Sequence, residues 1–459
     1  MATRLIPSLV AATIPARGGT NGVASPSSRW RAALAVCGLV GVSGIAYGQR
    51  PGFVFDPPGP VVLGDAVHIR IVGLPPSAEV TVRAESDTGT GRLARAEAIF
   101  VADAKGEIDL ERTAPNAGSY SGVDGQGLFW SQMETSRPVP GLLEFERYQS
   151  LMEWTLLIEG KAVASTIHTR WVLRPGIYPF HVRDNGLVGT FYNPEREGTK
   201  PGVIVLGGEA GGLNEAARLA QLLASHGYAT LALAYFGVEA LPPNLELIPL
   251  EYFATAVDWM KKNASVSGDR MAVLGVSKGA EAAMLVASRS PDIHAVVAYL
   301  PSSVVWQSTG LGFPEISSWS VGGAPVPFVP YAEDPNALGS YRMTGLYLAS
   351  LKDQKAVDCA TLPVERIQGP VLMISAGHDA YWPSQKMGDA CLARLNAAKR
   401  PYRDQHLKYA GAGHDISGPG YTVLKGTAVT GGSRSANAKA RADSWPKMLA
   451  FLKSAIGAP

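Results

Sequence analysis

The pattern of apolar and polar positions changes character once along the chain. Over 52–174 apolar residues alternate with polar ones in short runs, at 66–72, 80–84, 97–102, 154–159 and 165–171. A period of two marks strands with one buried face. Gly73-Leu74-Pro75-Pro76 and Asp103-Ala104-Lys105-Gly106 supply the turns between them. Short alternating runs cut by Pro and Gly predict an all-β, immunoglobulin-like antiparallel sandwich. His68 and His168 sit inside predicted strands, which makes them packing or surface residues rather than catalytic ones.

Past Pro175 the runs become apolar on both faces, at 202–206, 228–234, 271–276, 294–299 and 370–375. Segments 214–226, 250–262 and 383–397 carry apolar residues at helical spacing. Strands alternating with helices predict a mainly parallel sheet covered on both faces over 175–459. The alternation lapses over 301–355, where Trp306, Phe313, Trp319, Phe328 and Tyr331 stand among Gly, Pro and Ser. Loops of this length are usually functional. The aromatics predict a cap over the site, and a surface subdomain with its own small core is the other reading.

The chemistry concentrates at one turn. Met271-Ala272-Val273-Leu274 is an apolar strand, Gly275-Val276-Ser277-Lys278-Gly279 follows, and a helix runs on through 288. G-x-S-x-G between strand and helix is the nucleophile elbow of serine hydrolases. It predicts Ser277 at the tip with an exposed Oγ, and helix amides beneath it that suit a developing oxyanion. In such folds an acid and then a His follow the nucleophile in chain order, at strand ends. Four His follow Ser277. His294 opens a strand, His406 lies within one, and His378 lies in the acid loop as a structural or pocket-lining residue. His414, in the turn Ala410-Gly411-Ala412-Gly413-His414-Asp415, is the candidate base. Asp379 follows the 370–375 strand and is the candidate acid, ahead of Asp415, whose side chain is adjacent in sequence to the base. Oxyanion donors are expected at the amide of Lys278 and, from the loop 207–212, at Gly208 or Glu209. That loop matches neither G-x-G-x-x-G nor the P-loop pattern. No cofactor and no metal site are expected.

Composition narrows the partners. The formal net charge is +2, with no long basic run and no basic-aromatic patch. Nucleic acid is therefore not expected as a partner, whereas the elbow calls for a small-molecule ester substrate. Arg29-Trp30-Arg31, the apolar run 32–46 and Ala46-Tyr47-Gly48 have the layout of a secretory signal peptide, preceded by an extended n-region. The run of about 15 residues is short of the roughly 20 needed to span a bilayer. The reading is thus a signal peptide over 1–48, export if the signal is used and a cytoplasmic protein otherwise, with no stable membrane span after cleavage; an N-terminal anchor is the other reading. Cys37 lies within that run. Cys359 and Cys391 form either one disulfide or two separate thiols.

Taken together, these residues resemble the family of acyl-CoA thioesterases and bile acid-CoA:amino acid N-acyltransferases. The resemblance rests on Arg70-Ile71-Val72-Gly73-Leu74-Pro75-Pro76 and Gly118-Ser119-Tyr120-Ser121-Gly122-Val123-Asp124 in the β part. In the α/β part it rests on Gly202-Val203-Ile204-Val205-Leu206-Gly207-Gly208, Leu231-Ala232-Leu233-Ala234-Tyr235-Phe236-Gly237 and the elbow. It implies an α/β-hydrolase domain after the sandwich and a triad of Ser277, Asp379 and His414. Family members often carry two consecutive Asp in the acid loop; here the pair is His378-Asp379, aligned through Trp382. Acyltransferase members use Cys as nucleophile, so Ser277 implies hydrolysis of an acyl thioester. An exported carboxylesterase or peptidase-like hydrolase is the alternative, and a non-catalytic binding protein a third.

Overall fold

The computed structural model describes residues 50–459 apart from 88–91, 139–147, 195–197, 239, 311, 313, 333–342 and 421–426. The expected signal peptide, and Phe313, lie outside the described residues. The alternating segments form two sheets. One has the order Gly52–Asp56, His68–Val72, Ile108–Asp109. The other has the order Val61–Val62, Lys161–Trp171, Gln149–Ile158, Glu79–Asp87, Arg92–Val101, Ala117–Gly118, with Met133–Pro138 also on Arg92–Val101. Pairing is antiparallel except between Val61–Val62 and Lys161–Trp171. The alternation does what the pattern predicts: Ala94, Ala96, Ala98 and Phe100 are buried while their neighbours are not. Ile69 and Ile71 of the first sheet share one core with Val82, Phe100 and Trp154 of the second, which makes a sandwich. His168 is buried and stacked on Phe55 at 4.7 Å; burial, helped by the Arg170 charge, pushes its pKa down to about 4. It is a packing residue, neutral at pH 7. His68 meets Asp109 at 2.8 Å.

The second half forms one eight-stranded sheet. Its strands are β1 (Tyr178–Val182), β2 (Val188–Asn193), β3 (Lys200–Leu206), β4 (Ala229–Ala234), β5 (Val266–Val276), β6 (Ala295–Tyr299), β7 (Val371–Ala376) and β8 (Gln405–Tyr409). The order is β1-β2-β4-β3-β5-β6-β7-β8. From β4 to β8 neighbours are parallel; β1 and β2 are antiparallel. Every residue of β3, β4, β6 and β7 is buried, as doubly covered strands require. Helices α1 (Asn214–Ser225) and α5 (Arg434–Ile456) cover one face. Helices α2 (Leu250–Lys262), α3 (Lys278–Ala287) and α4 (Ser384–Ala397) cover the other.

The sandwich is fixed to this layer by shared packing. Val62, Leu63, Val172 and Leu173 enter the α1/α5 core. Arg434 of α5 donates to the carbonyls of Trp130 and Gln132. Within 301–355, Trp306, Trp319 and Val329 join the α2/α3/α4 core rather than forming one of their own. Among the described residues no helix is long and apolar enough to cross a membrane.

Cys359 is exposed, Cys391 is buried, and both are free thiols. Cys391 Sγ–H donates to Ser302 O at 3.4 Å, and burial pushes its pKa to about 12. The thiolate is the reactive form. A thiol reagent on the native protein should therefore label Cys359 and spare Cys391 until denaturant is added. Peptide mass spectrometry reads this out; a Cys359–Cys391 disulfide peptide would contradict it.

Candidate active site

Strand β5 ends at Val276 and helix α3 begins at Lys278, so the chain reverses within Ser277. Its backbone sits at φ 56°, ψ −119°, a sparsely populated region that costs roughly 1–3 kcal/mol. The two flanking glycines are steric necessities. A Cβ on Gly275 would lie 2.0 Å from Gly279 O; one on Gly279 would lie 2.3 Å from Gly207 O and 2.5 Å from Leu206 O. Strand β5, helix α3 and the end of β3 thus meet backbone to backbone. Ser277 is only 7% exposed, more covered than the elbow pattern predicts, because the Gly208 backbone closes over it. A Cβ on Gly208 would come within 3.3 Å of Ser277 Cβ.

Loops after β7 and β8 bring the other two groups. Ser277 Oγ lies 3.0 Å from His414 Nε2. His414 Nδ1 lies 2.9 and 3.0 Å from the two carboxylate oxygens of Asp379. Ser277, Asp379 and His414, predicted from chain order, are adjacent in space. Asp379 accepts further bonds from Tyr381 N at 3.0 Å, Trp382 N at 3.3 Å and Ser384 Oγ at 2.7 Å. Those donors hold the carboxylate in place. The two loops are tied by bridges between Asp379 and Gly431 and between Ala412 and Gly432. Tyr381 stacks on the His414 ring at 4.7 Å, and Trp382 meets its edge at 6.2 Å.

Burial pushes the His414 pKa down, but the charge and hydrogen bond of Asp379, with Glu209 and Glu215 adding to them, win and leave it raised above 6.5. Nδ1 facing a carboxylate fixes the tautomer with Nε2 free to accept from Ser277.

The Gly-rich loop separates the two donor candidates. Gly208 N–H donates to Glu215 Oε2 at 2.8 Å. Glu209 is exposed, and its charge reaches His414. The amide of Lys278 stands in the first turn of α3, where no intrahelical carbonyl is available to it. Tyr235 O–H donates to Gly207 O at 2.5 Å and pins the root of the loop.

The remaining His and Asp lie elsewhere. His378 is exposed, and its backbone N–H donates to Ala412 O at 2.9 Å. His406 meets Ser375 Oγ at 2.6 Å and Asp389 at 3.1 Å. His294 Nδ1 accepts from Met271 N at 3.4 Å. Asp415 is paired with Arg441. Among the described residues no cluster of three or more His, Cys, Asp or Glu is placed to hold a metal.

Sequence reasoning missed three supports. Glu215 was legible only as an acidic residue in a first helical turn after a Gly-rich loop. Ser384 opens α4 without a pattern of its own. Lys278 was read for its amide, but its ammonium is buried and 3.0 Å from Glu281 Oε2, equally buried. Glu281 Oε1 accepts from Trp306 N at 3.1 Å and Trp319 Nε1 at 2.7 Å. The 301–355 segment is thereby bonded to the elbow helix. It also reaches the acid loop, where Thr344 Oγ1 donates to Asp379 O at 2.6 Å and Tyr347 meets Trp382 edge-on at 5.8 Å.

Residues 64–184 match the family model described as acyl-CoA thioester hydrolase/BAAT N-terminal region, and 248–458 that described as BAAT/acyl-CoA thioester hydrolase C terminal. Acyl-coenzyme A thioesterase 6 of Mus musculus is 30% identical over 416 residues, covering 87% of this chain and 95% of that one. The peroxisomal succinyl-coenzyme A thioesterase of Mus musculus is 29% identical over 419 residues, covering 88% and 96%. Among solved structures, a puromycin-hydrolysing peptidase of Mycobacterium tuberculosis is 14% identical with a TM-score of 0.43, over 89% of this chain and 61% of that one.

The protonation balance makes a testable prediction. A base must be neutral, so activity should rise with pH through the His414 pKa, which lies above the ordinary 6.5. Asp379→Asn removes the main raising influence. The acid limb of kcat/KM should then move to lower pH, and the plateau should fall by roughly 10⁴-fold as the tautomer is lost. An unmoved limb would exclude the Asp379–His414 coupling.

Proposed function

The chain belongs to the acyl-CoA thioester hydrolase/BAAT family, and from that premise we propose that it hydrolyses acyl-CoA thioesters through Ser277, His414 and Asp379. The observation that carries this reading is Ser277 Oγ set 3.0 Å from a His414 ring whose other nitrogen faces a buried carboxylate. His414 Nε2 takes the Ser277 proton as Oγ bonds to the thioester carbonyl carbon. The carbonyl oxygen becomes an oxyanion, held by the amides of Lys278 and Glu209. Glu209 is assigned over Gly208 because the Gly208 N–H already serves Glu215. Re-formation of the carbonyl breaks the C–S bond, and the imidazolium returns its proton to the leaving sulfur. Water, deprotonated by His414, then cleaves the acyl-Ser277 ester and releases the carboxylic acid. The raised His414 pKa keeps the proton available for the sulfur. The segment 301–355, bonded to both α3 and the acid loop, serves as the cap.

The test is Ser277→Ala assayed on acyl-CoA by thiol release. Turnover should fall by roughly 10⁴-fold or more, while the thermal unfolding midpoint stays within a few degrees, since Ala keeps the Cβ and the backbone conformation of residue 277. Retained hydrolysis with a native fold would overturn the assignment. A wild-type protein that cleaves short p-nitrophenyl esters far better than acyl-CoA would replace the thioesterase by a plain esterase.

A further inference from the structure

We propose that a cleft at the β1/β2 edge of the sheet binds the 3′-phosphorylated ADP end of a coenzyme A thioester, so that the leaving group is recognised far from the reacting carbonyl. This rests on the thioester reading above and adds a second binding site to it. The cleft has a volume of about 640 Å³, and its lining includes Tyr148, His181, Arg183, Tyr192, Gly211 and Gly212.

Its chemistry fits an aromatic polyanion. None of its lining residues is acidic. His181 lies in β1 and Arg183 directly follows it; both line the cleft and both are exposed. Arg183 Nη1 donates to Val182 O at 2.7 Å and Gly189 O at 3.2 Å, which anchors the guanidinium. Its Nε and Nη2 have no partner among the described residues, and it makes no ion pair there. A fixed guanidinium with open N–H groups is suited to phosphate oxygens. His181 Nδ1 lies 3.4 Å from Thr190 Oγ1, leaving Nε2 open. Tyr148, 42% exposed, offers a ring face to a purine.

Its position fits as well. Val182 pairs with Gly189, and Val188 with Ala234. The β1/β2 turn therefore lies at the same edge of the sheet as the carboxyl ends of β3, β4 and β5, where Ser277 sits. From β5 to β1 the order is β5-β3-β4-β2-β1, four strand spacings or about 19 Å. That is the length class of the pantetheine arm between a thioester and its pyrophosphate. One loop serves both ends: Gly208 closes on Ser277 while Gly211 and Gly212 wall the cleft. Asp379, Glu209 and Glu215 surround His414 and repel phosphates from the reaction centre.

The test compares an acyl-CoA with the pantetheine thioester of the same acyl group, which lacks the nucleotide. Arg183→Glu and His181→Glu should each lower the ratio of kcat/KM for acyl-CoA over the pantetheine thioester by about tenfold or more, the size of one charge-assisted hydrogen bond, mainly through KM. Adenosine 3′,5′-bisphosphate should inhibit the wild type competitively with acyl-CoA and inhibit Arg183→Glu about tenfold less. Equal ratios in wild type and both variants would overturn the proposal. A wild type that cleaves neither thioester would overturn the thioester reading. Calorimetric binding of adenosine 3′,5′-bisphosphate would still decide the cleft: loss in Arg183→Glu supports it, and equal or absent binding in the two proteins overturns it.

Discussion

The structure depends on one backbone constraint, the reversal of the chain within Ser277. A strained residue persists only where its surroundings over-determine it. Here the surroundings are three backbones in contact, with no room for a Cβ at Gly275 or Gly279. All ten residues of α3 are buried, so the helix cannot relax outward and release the strain. The same contact places the end of β3, since Gly279 packs on the carbonyls of Leu206 and Gly207. The root of the Gly-rich loop is thus set by the element that sets Ser277. Ser277 and the candidate oxyanion donors move together or not at all, as a preorganised site requires.

A second constraint follows from burying α3 completely, because Lys278 and Glu281 are buried with it. Desolvating each ion costs several kcal/mol, and their mutual attraction offsets this only if the remaining lone pairs are bonded. The bonds come from Trp306 N and Trp319 Nε1. The pair therefore needs the 301–355 segment folded onto it. Removing either charge would leave the other buried and unpaired, a loss of about 3–5 kcal/mol. Its structural effect is registration, since it fixes where the aromatic segment sits relative to the elbow.

Much of this was legible from sequence, and the illegible part has a common cause. Continuous apolar runs reveal β3 to β7, because strands covered on both faces have no polar option. The elbow and its partners follow from chain order, which the sheet converts into proximity. Strand β1 was not legible: Pro179 interrupts its short Tyr178-Phe180-Val182 alternation, and Tyr178 and Phe180 are exposed on the edge strand, so its apolar positions do not mark a core face. Helix α5 was equally silent, since its buried side includes Asn437, Arg441 and Ser444. Glu215, Ser384 and Glu281 escaped because each acts through hydrogen bonds to groups on other elements or loops, which no local pattern marks. The unusual His378 beside Asp379 was readable as a departure from the family pattern, but only the structure shows why it leaves the constellation intact. His378 faces outward, and the donors to Asp379 come from Tyr381, Trp382 and Ser384.

The distribution of charge then separates two tasks. Around His414 three carboxylates act in one direction: Asp379, Glu209 and Glu215 all raise its pKa. This favours the imidazolium form of His414 inside a buried site. The same field opposes any anion brought close. A phosphate would meet the carboxylates first. A substrate that carries both a reacting carbonyl and several phosphates therefore has to lie with its ends apart. The one described cleft on this edge that combines an anchored, unpaired guanidinium with a lining free of acids lies four strands away. On the proposed reading, the carboxylates that raise the His414 pKa are thus also what sends recognition of an anionic leaving group outward, to the antiparallel edge of the sheet.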